Sequence, residues 1–177
     1  REEDLIREVE RILEELLKHS KRLIDEARDS HRRLLEHSKR LVEEVERLHK
    51  ELLDRARENG GSEELLTRIK KNIDESRKEL KEYEDDLRRN LRESDERLRR
   101  YLDDLRREKK EVEDELRRRK ADDRMREEVR KTEERWRDKD RELEKRVRDN
   151  ERRWEDRDRK LEKRVRDNIK RLRDELE

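Results

Sequence analysis

The chain has no proline, no cysteine and no phenylalanine, and its two glycines are adjacent, at Gly60 and Gly61. The absence of cysteine excludes disulfides, thiol catalysis and thiolate metal sites. Because proline and glycine are the strongest helix breakers, they can interrupt a helical pattern at one place only. No apolar run approaches the ~20 residues that span a bilayer, and no signal peptide opens the sequence. We therefore expect a soluble protein, cytoplasmic when expressed, with no membrane partner.

Charged side chains make up 64% of the 177 residues, and apolar ones only 25%. Such a composition is often disordered, but disordered segments favour proline, serine and glycine, whereas this chain is built from leucine, glutamate, lysine and arginine, which favour helices. Basic residues number 57 and acidic residues 56, and the two signs are mixed along the whole chain. We therefore expect long helices and no nucleic-acid partner, because phosphate binding needs a concentrated basic face.

A repeat with an offset of eighteen residues runs through three segments of the sequence. The stretch IKKNIDESRKELKEYEDDL (69–87) is followed by LRRNLRESDERLRRYLDDL (87–105), and RWRDKDRELEKRVRDN (135–150) recurs as RWEDRDRKLEKRVRDN (153–168). All four histidines and all four aromatic residues pair at this offset: His19 with His37, His31 with His49, Tyr83 with Tyr101, and Trp136 with Trp154. Eighteen residues make about five helical turns, so equivalent side chains return to one face and the helices should be nearly untwisted.

This regularity, in which polar residues recur with the same period as the leucines, resembles that of de novo designed helical bundles built parametrically around buried hydrogen-bond networks. The resemblance covers the whole chain and rests on regularity, not on a catalytic motif. It implies an all-α bundle of straight helices. The composition also resembles that of a natural charged coiled-coil stalk.

The glycine pair predicts a loop. The segment ENGGS supplies a left-handed position at Gly60 and a helix cap at Ser62. We therefore expect helix 1 over residues 1–58, a loop over 59–62 and helix 2 over 63–120, packed as a long antiparallel helical hairpin. No helix breaker follows, so residues 121–177 are expected to form a continuous single-helix C-terminal extension.

The apolar stripe changes face between helix 2 and the extension. On a straight helix, the stripe that ends at Leu116 and the stripe of the extension are about 140° apart. This shift predicts a separate apolar face for residues 121–177, and the sequence leaves open which surface that face docks on. The predicted interface of the extension consists of Val129, Trp136, Leu143, Val147, Asn150, Trp154, Leu161, Val165 and Asn168. The same stripe carries Thr132, Asp140 and Asp158.

Helix 1 carries two adjacent apolar columns, for example at Leu16 with Leu17 and at Leu34 with Leu35. These columns are too wide for one hairpin partner to cover. We therefore expect the hairpins to assemble into an oligomeric untwisted bundle of identical chains, with a trimer as the first choice. Helix 1 would lie nearer the symmetry axis, and the extension would project from the body, where it could meet a further helical partner.

Polar residues occur among the leucines at matching heights of the predicted hairpin. Counting outward from the loop places the His-Ser pairs opposite the tyrosines and the other two histidines opposite Asn72 and Asn90. A buried polar group without a partner costs about 1 to 3 kcal/mol, so these residues should form satisfied networks that specify register and oligomer number. The predicted network consists of His19, Ser20, His31, His37, Ser38, His49, Asn72, Tyr83, Asn90 and Tyr101.

The chemistry of these residues favours a structural function. Protonation would give each imidazole a second donor and a buried charge, so the network could respond to pH. No metal site is expected, because equivalent histidines lie about 27 Å apart along a helix. No nucleophile motif or phosphate-binding loop is present, so we expect no enzyme, no cofactor and no small-molecule substrate. The expected function is a structural scaffold such as a rod, axle or fibre component. The alternatives are one half of a heteromeric helical pair and a natural stalk or spacer.

Overall fold

A computed structural model of the chain describes residues 2–118 and 123–176. These residues form three α-helices: α1 (Glu2–Glu58), α2 (Glu63–Arg118) and α3 (Asp123–Leu176). The described residues contain no strand. The all-α prediction is confirmed, and buried residues recur along each helix at intervals of three and four, as the amphipathic pattern requires.

The loop between α1 and α2 lies at the glycine pair, as the sequence predicts. Gly60 has a φ of 65°, a left-handed conformation that costs glycine little and that ends α1. The amide of Gly61 donates to the carbonyl of Ala56 at 2.7 Å. Ser62 Oγ accepts a hydrogen bond from the amide of Leu65 at 3.2 Å, so this serine caps the start of α2.

The third segment does not project from the hairpin, and this corrects the expectation of a continuous extension. The hydroxyl of Tyr83 in α2 donates to Asp158 in α3 at 2.9 Å. On one straight helix these two residues would be about 110 Å apart. Helix α3 therefore does not continue α2 but packs antiparallel to it. The predicted helix across residue 120 falls within 119–122, which lie outside the described residues.

The chain forms two compact units, and all three helices contribute to each. Unit 1 comprises the described residues of 1–29 and 91–150, and its core contains two apolar clusters. The larger cluster consists of Leu5, Val9, Ile12, Leu13, Leu16, Leu105, Leu116, Met125, Val129 and Trp136. The smaller cluster consists of Ile24, Ala27, Leu98, Leu102 and Val147.

Unit 2 comprises the described residues of 30–90 and 151–177, and its core is one apolar cluster with members from all three helices. Leu34 and Leu35, from the two columns of α1, pack against the edge of this cluster. The buried members are Leu41, Val45, Leu52, Ala56, Ile69, Ile73, Leu80, Tyr83, Leu87, Trp154, Leu161, Val165, Ile169 and Leu172.

No large apolar side chain is exposed in the described residues. Within each unit, the wide apolar face of α1 packs against both α2 and α3, so it meets two helices of its own chain. Burying one leucine-sized side chain contributes about 1.5 to 3 kcal/mol, and the clusters supply many such side chains. In residues 2–118 and 123–176 no helix has an apolar stretch of the length needed to cross a bilayer.

Candidate functional site

Each unit contains a layer of polar side chains drawn from all three helices. The first polar layer, in unit 1, consists of His19, Ser20, Tyr101, Asp140 and Glu144. The second polar layer, in unit 2, consists of His37, Ser38, Tyr83, Asp158 and Glu162. The eighteen-residue repeat relates the two sets: the residue numbers rise by eighteen on α1 and α3 and fall by eighteen on the antiparallel α2. The repeat therefore builds one constellation twice.

In the second polar layer, the imidazole of His37 lies between two carboxylates of α3. Its Nδ1 is 2.8 Å from Asp158 Oδ2, and its Nε2 is 3.4 Å from Glu162 Oε2. The hydroxyl of Tyr83 donates to the other oxygen of Asp158 at 2.9 Å. Asp158 is only 7% exposed, so partners from α1 and α2 replace the water that this buried carboxylate has lost. The hydroxyl of Ser38 is buried and has no hydrogen-bond partner in the described residues.

The first polar layer has the same plan with looser contacts. Nδ1 of His19 is 2.6 Å from Asp140 Oδ2, and Nε2 is 3.7 Å from Glu144 Oε2. Ser20 Oγ donates to a carbonyl of its own helix at 2.8 Å and also lies 3.5 Å from Asp140 Oδ1. The hydroxyl of Tyr101 is buried and forms no aligned hydrogen bond in the described residues. In the first layer, Ser20 thus contacts the aspartate Oδ1, which in the second layer accepts a hydrogen bond from Tyr83.

Burial dominates the electrostatics of both layers. Burial raises the pKa of Asp140 above its ordinary value, and His19 opposes that shift. Burial also raises the pKa of Tyr101 to about 12, with a further increase from the charge of Asp140 and a smaller decrease from Ser20. The pKa of Tyr83 is raised by burial first and by Asp158 second. Both phenols are therefore neutral near pH 7 and can act as hydrogen-bond donors.

Serine, histidine and aspartate occur together in each layer, but they do not form a nucleophile relay. In such a relay, one ring nitrogen contacts the serine hydroxyl and the other contacts the aspartate. Here Nδ1 of His37 faces Asp158, and Nε2 faces Glu162 instead of a serine. What each layer presents is an imidazole flanked by two carboxylates. That arrangement can hold a second proton on the ring or a divalent cation beside it.

The other two histidines are buried in unit 2, and their environments differ. Nε2 of His31 lies 3.4 Å from Asn90 Oδ1, which is the pair that the hairpin register predicts. His49 is completely buried, and neither of its ring nitrogens has a hydrogen-bond partner in the described residues. Asn72, its expected partner, accepts a hydrogen bond from Ser76 on its own helix at 3.4 Å. The predicted pair between His49 and Asn72 therefore does not form.

The buried ring of His49 is held in its neutral form. Desolvation by burial lowers the pKa of His49, the positive charge of Arg77 lowers it further, and Glu46 partly opposes both effects. A neutral imidazole still carries one donor and one acceptor. Leaving both without partners makes His49 a local cost to stability rather than the satisfied network member that the sequence predicts.

Both tryptophans of α3 lie inside seams of their own chain. The ring of Trp154 is 6.0 Å from that of Tyr83, and the guanidinium carbon of Arg157 is 5.1 Å from the Trp154 ring. The indole N–H of Trp136 donates to Glu108 of α2. These contacts are typical of packed aromatic seams, with cation–π contributions of about 0.5 to 1 kcal/mol. The tryptophans therefore do not form an exposed surface for a partner.

The remaining residues of the predicted extension interface also face helices of the same chain or line the edge of that face. The buried ones are Val129, Val147, Leu161 and Val165. The half-buried ones are Leu143, Asn150 and Asn168. The predicted stripe of α3 is therefore an intrachain interface.

Glu144 and Glu162 are site residues that sequence reasoning missed, and it placed Asp140 and Asp158 only on an apolar stripe. Each Asp-Glu pair is spaced i, i+4, which puts both carboxylates on one helical face. That signal is weak by itself, because carboxylates occur at almost every turn of this chain. Only the return of α3 onto α1 shows which carboxylates meet the histidines.

No family model, curated protein or solved structure matches the chain. Its function is therefore inferred from the geometry of the two polar layers and of the cores.

Proposed function

We propose that the chain is a structural scaffold element whose three helices are held in one register by the two polar layers. The observation that supports this proposal is the burial of apolar residues, because the described residues expose no large apolar side chain. The surface is charged, and its arginines pair with carboxylates one helical turn away or on a neighbouring helix, as in Arg88 with Glu84 and Arg166 with Glu44. Such a mixed-charge surface offers no apolar patch to a partner, as a spacer or scaffold requires.

The polar layers specify register because their contacts are lost when one helix shifts by a turn along another. If α3 moved along α1 by one turn, Asp158 would lose His37 and Tyr83 and would remain buried without either partner. A buried group that loses its partner costs about 1 to 3 kcal/mol, and more when it is charged. Apolar contacts tolerate such a shift better, because one leucine can take the place of another. The layers therefore discriminate between arrangements that the leucines alone would leave close in energy.

We further infer that the scaffold is a single chain. We expected a homo-oligomer, with a trimer as the first choice, because a lone hairpin would leave part of α1 uncovered. In each unit α3 supplies that cover. A heteromeric pair formed through the third segment loses its basis for the same reason, since Trp136 and Trp154 are buried within the chain.

Size-exclusion chromatography with multi-angle light scattering tests this proposal. We expect one species with the mass of a single chain, 22.5 kDa, and no change in mass with protein concentration. A trimeric mass, or a mass that rises with concentration, would contradict the single-chain proposal and support the homo-oligomer. A species that forms only after a second helical protein is added would support the heteromeric alternative.

A further inference from the structure

Three side chains of the second polar layer converge as the ligands of a metal ion do. His37 comes from α1, and Asp158 and Glu162 come from successive turns of α3. One nitrogen or oxygen atom of each lies within 4.8 Å of the other two. We propose that these three residues form a binding site for a divalent transition-metal ion, with zinc as the ion that fits best.

The spacing of the ligand atoms supports zinc. Zinc bonds nitrogen and oxygen ligands at about 2.0 to 2.2 Å in a tetrahedral site, which places two such ligands about 3.4 Å apart. Nε2 of His37 and Oε2 of Glu162 are separated by 3.4 Å. Glu162 is half-buried and has rotatable bonds with which to adjust, and three protein ligands leave a fourth position for water. Asp158 Oδ2 faces the other ring nitrogen, Nδ1, so the imidazole or the Asp158 side chain must rotate for all three residues to bind one ion.

The charges and lone pairs of the layer also favour a cation. A neutral imidazole has one N–H, yet each ring nitrogen of His37 faces a carboxylate oxygen. At least one ring lone pair therefore points towards a negative oxygen. Nδ1 is buried and has no aligned hydrogen bond in the described residues, although Asp158 Oδ2 is only 2.8 Å away. A divalent ion bound to one ring nitrogen would take the place of a proton there, and the two carboxylates would neutralise its charge.

Neighbouring side chains hold the two carboxylates in position for a metal. The hydroxyl of Tyr83 donates to Asp158 Oδ1 at 2.9 Å and leaves Oδ2 turned towards the ring. Nε of Arg166 donates to Glu162 Oε1 at 3.1 Å and leaves Oε2 turned towards the ring. Arg166 is itself held by a bidentate contact with Glu44 at 3.0 Å. Such outer contacts orient metal ligands and commonly change affinity by about 10-fold to 100-fold when they are removed.

The ligand types select the class of metal. One imidazole and two carboxylates suit zinc, cobalt or manganese, whereas calcium and magnesium prefer sites made of oxygen alone. The sequence predicts no metal site because the histidines of one chain are far apart along α1. The return of α3 supplies the missing ligands from carboxylates instead. The first polar layer has the same residue types, but Nε2 of His19 is 3.7 Å from Glu144, so a weaker second site is expected there.

Cobalt titration of the full-length protein tests the proposal, because tetrahedral and five-coordinate Co²⁺ absorb visible light. The His19→Gln variant is the background, since it leaves only the second layer intact. We expect one saturable Co²⁺ absorption band per chain, abolished by added Zn²⁺. Adding His37→Gln or Glu162→Gln should weaken binding at least tenfold, and adding Tyr83→Phe should weaken it about tenfold. Adding His31→Gln, which removes an imidazole outside the layer, should leave binding unchanged.

Circular dichroism of each variant shows whether it remains helical. The two ligand variants, His37→Gln and Glu162→Gln, each test the site separately. If one of them unfolds, the other still decides the outcome. The absence of a saturable band, or equal affinity in the background and in both ligand variants, would overturn the proposal. The structural scaffold would be unaffected by that result, because its cores contain no ligand residues.

Discussion

At the scale of single residues, Tyr83 and Tyr101 form a natural comparison. The repeat places them at equivalent positions of the two polar layers, yet Tyr83 donates to a buried carboxylate and Tyr101 has no aligned partner in the described residues. We expect Tyr83→Phe to lower the free energy of unfolding by about 1.5 to 3 kcal/mol, the range for hydrogen bonds to charged groups. We expect Tyr101→Phe to change it by less than about 0.5 kcal/mol. Urea titrations followed by circular dichroism measure both values.

The two tyrosine variants are controls for each other, because each loses one oxygen atom from a buried ring. Equal losses in the two variants would show that the layers do not differ in the way their contacts indicate. A gain of less than about 0.5 kcal/mol for Tyr101→Phe would agree with this prediction, since the variant removes a buried hydroxyl that lacks an aligned partner.

His49 provides a second test at this scale. Its ring is completely buried and both nitrogens lack partners in the described residues, so His49→Leu should raise the free energy of unfolding by about 1 to 3 kcal/mol at pH 7. His31→Leu is the matched control. Because it removes the contact with Asn90, its gain should be smaller or absent. A His49→Leu variant that gains no more stability than His31→Leu would contradict the assignment.

The lowered pKa of His49 also predicts a pH dependence. In the unfolded chain this ring titrates near 6.5, whereas in the folded chain its pKa lies below that value. The unfolded state therefore binds the proton more readily, so stability is full above pH 6.5 and declines as the pH falls below it. Asp140 acts in the opposite sense, because burial raises its pKa. The His49→Leu variant should lose part of its acid sensitivity in urea titrations at pH 5 and pH 7.5, and unchanged acid sensitivity would exclude His49 as its source.

At the scale of the helices, the loop between α1 and α2 depends on two different properties of glycine. Gly60 needs a left-handed conformation but has open space around it, whereas a Cβ at Gly61 would lie 2.7 Å from the carbonyl oxygen of Ala56. We expect Gly60→Ala to cost about 1 kcal/mol and Gly60→Asn less, because asparagine tolerates this conformation. Gly61→Ala should cost more than either, since the backbone must shift. Thermal unfolding compares the three variants, and a Gly61→Ala variant as stable as the parent would contradict the loop geometry.

Much of the element structure follows from the sequence, but the reversal of direction from α2 to α3 does not. The C-terminal end of α1 and the start of α2 are predictable because Gly60, Ser62 and the acidic first turn of α2 are strong local signals. This reversal has no proline or glycine to mark it. Its signal is the shift of the apolar stripe by about 140°, since a continuous helix with opposed faces would need partners on both sides. Interpreted as a helix end, that shift predicts a third helix that folds back.

The polar layers are predictable in part for a related reason. The pairing of His31 with Asn90 follows from the hairpin register, which depends only on the loop. The partners of His19 and His37 lie on α3, and they cannot be assigned until its direction is known. The absence of a partner for His49 could not be predicted for another reason. Asn72 forms a hydrogen bond with Ser76, one turn away on its own helix, and the hairpin register does not predict such local contacts.

At the scale of the whole molecule, the central feature is the packing of α3 against α1 and α2 of its own chain. This packing covers the wide face of α1, buries the tryptophans and brings Asp158 to His37. A projecting extension would leave all three unexplained. The oligomeric state, the function of the polar layers and the proposed metal site all depend on it.

Electron–electron distance measurements on a spin-labelled Asp86→Cys/Arg157→Cys variant test this packing most directly. The chain has no cysteine of its own, so only these two positions are labelled. In the folded chain, Nη2 of Arg157 lies 2.8 Å from Oδ2 of Asp86 within unit 2. Diluting the labelled chain into unlabelled protein leaves only distances within one chain. We predict that the two labels lie within about 25 Å of each other, since packed helices are about 8 to 10 Å apart. A separation near the roughly 105 Å of a continuous helix, or a short distance that disappears on dilution, would contradict the account.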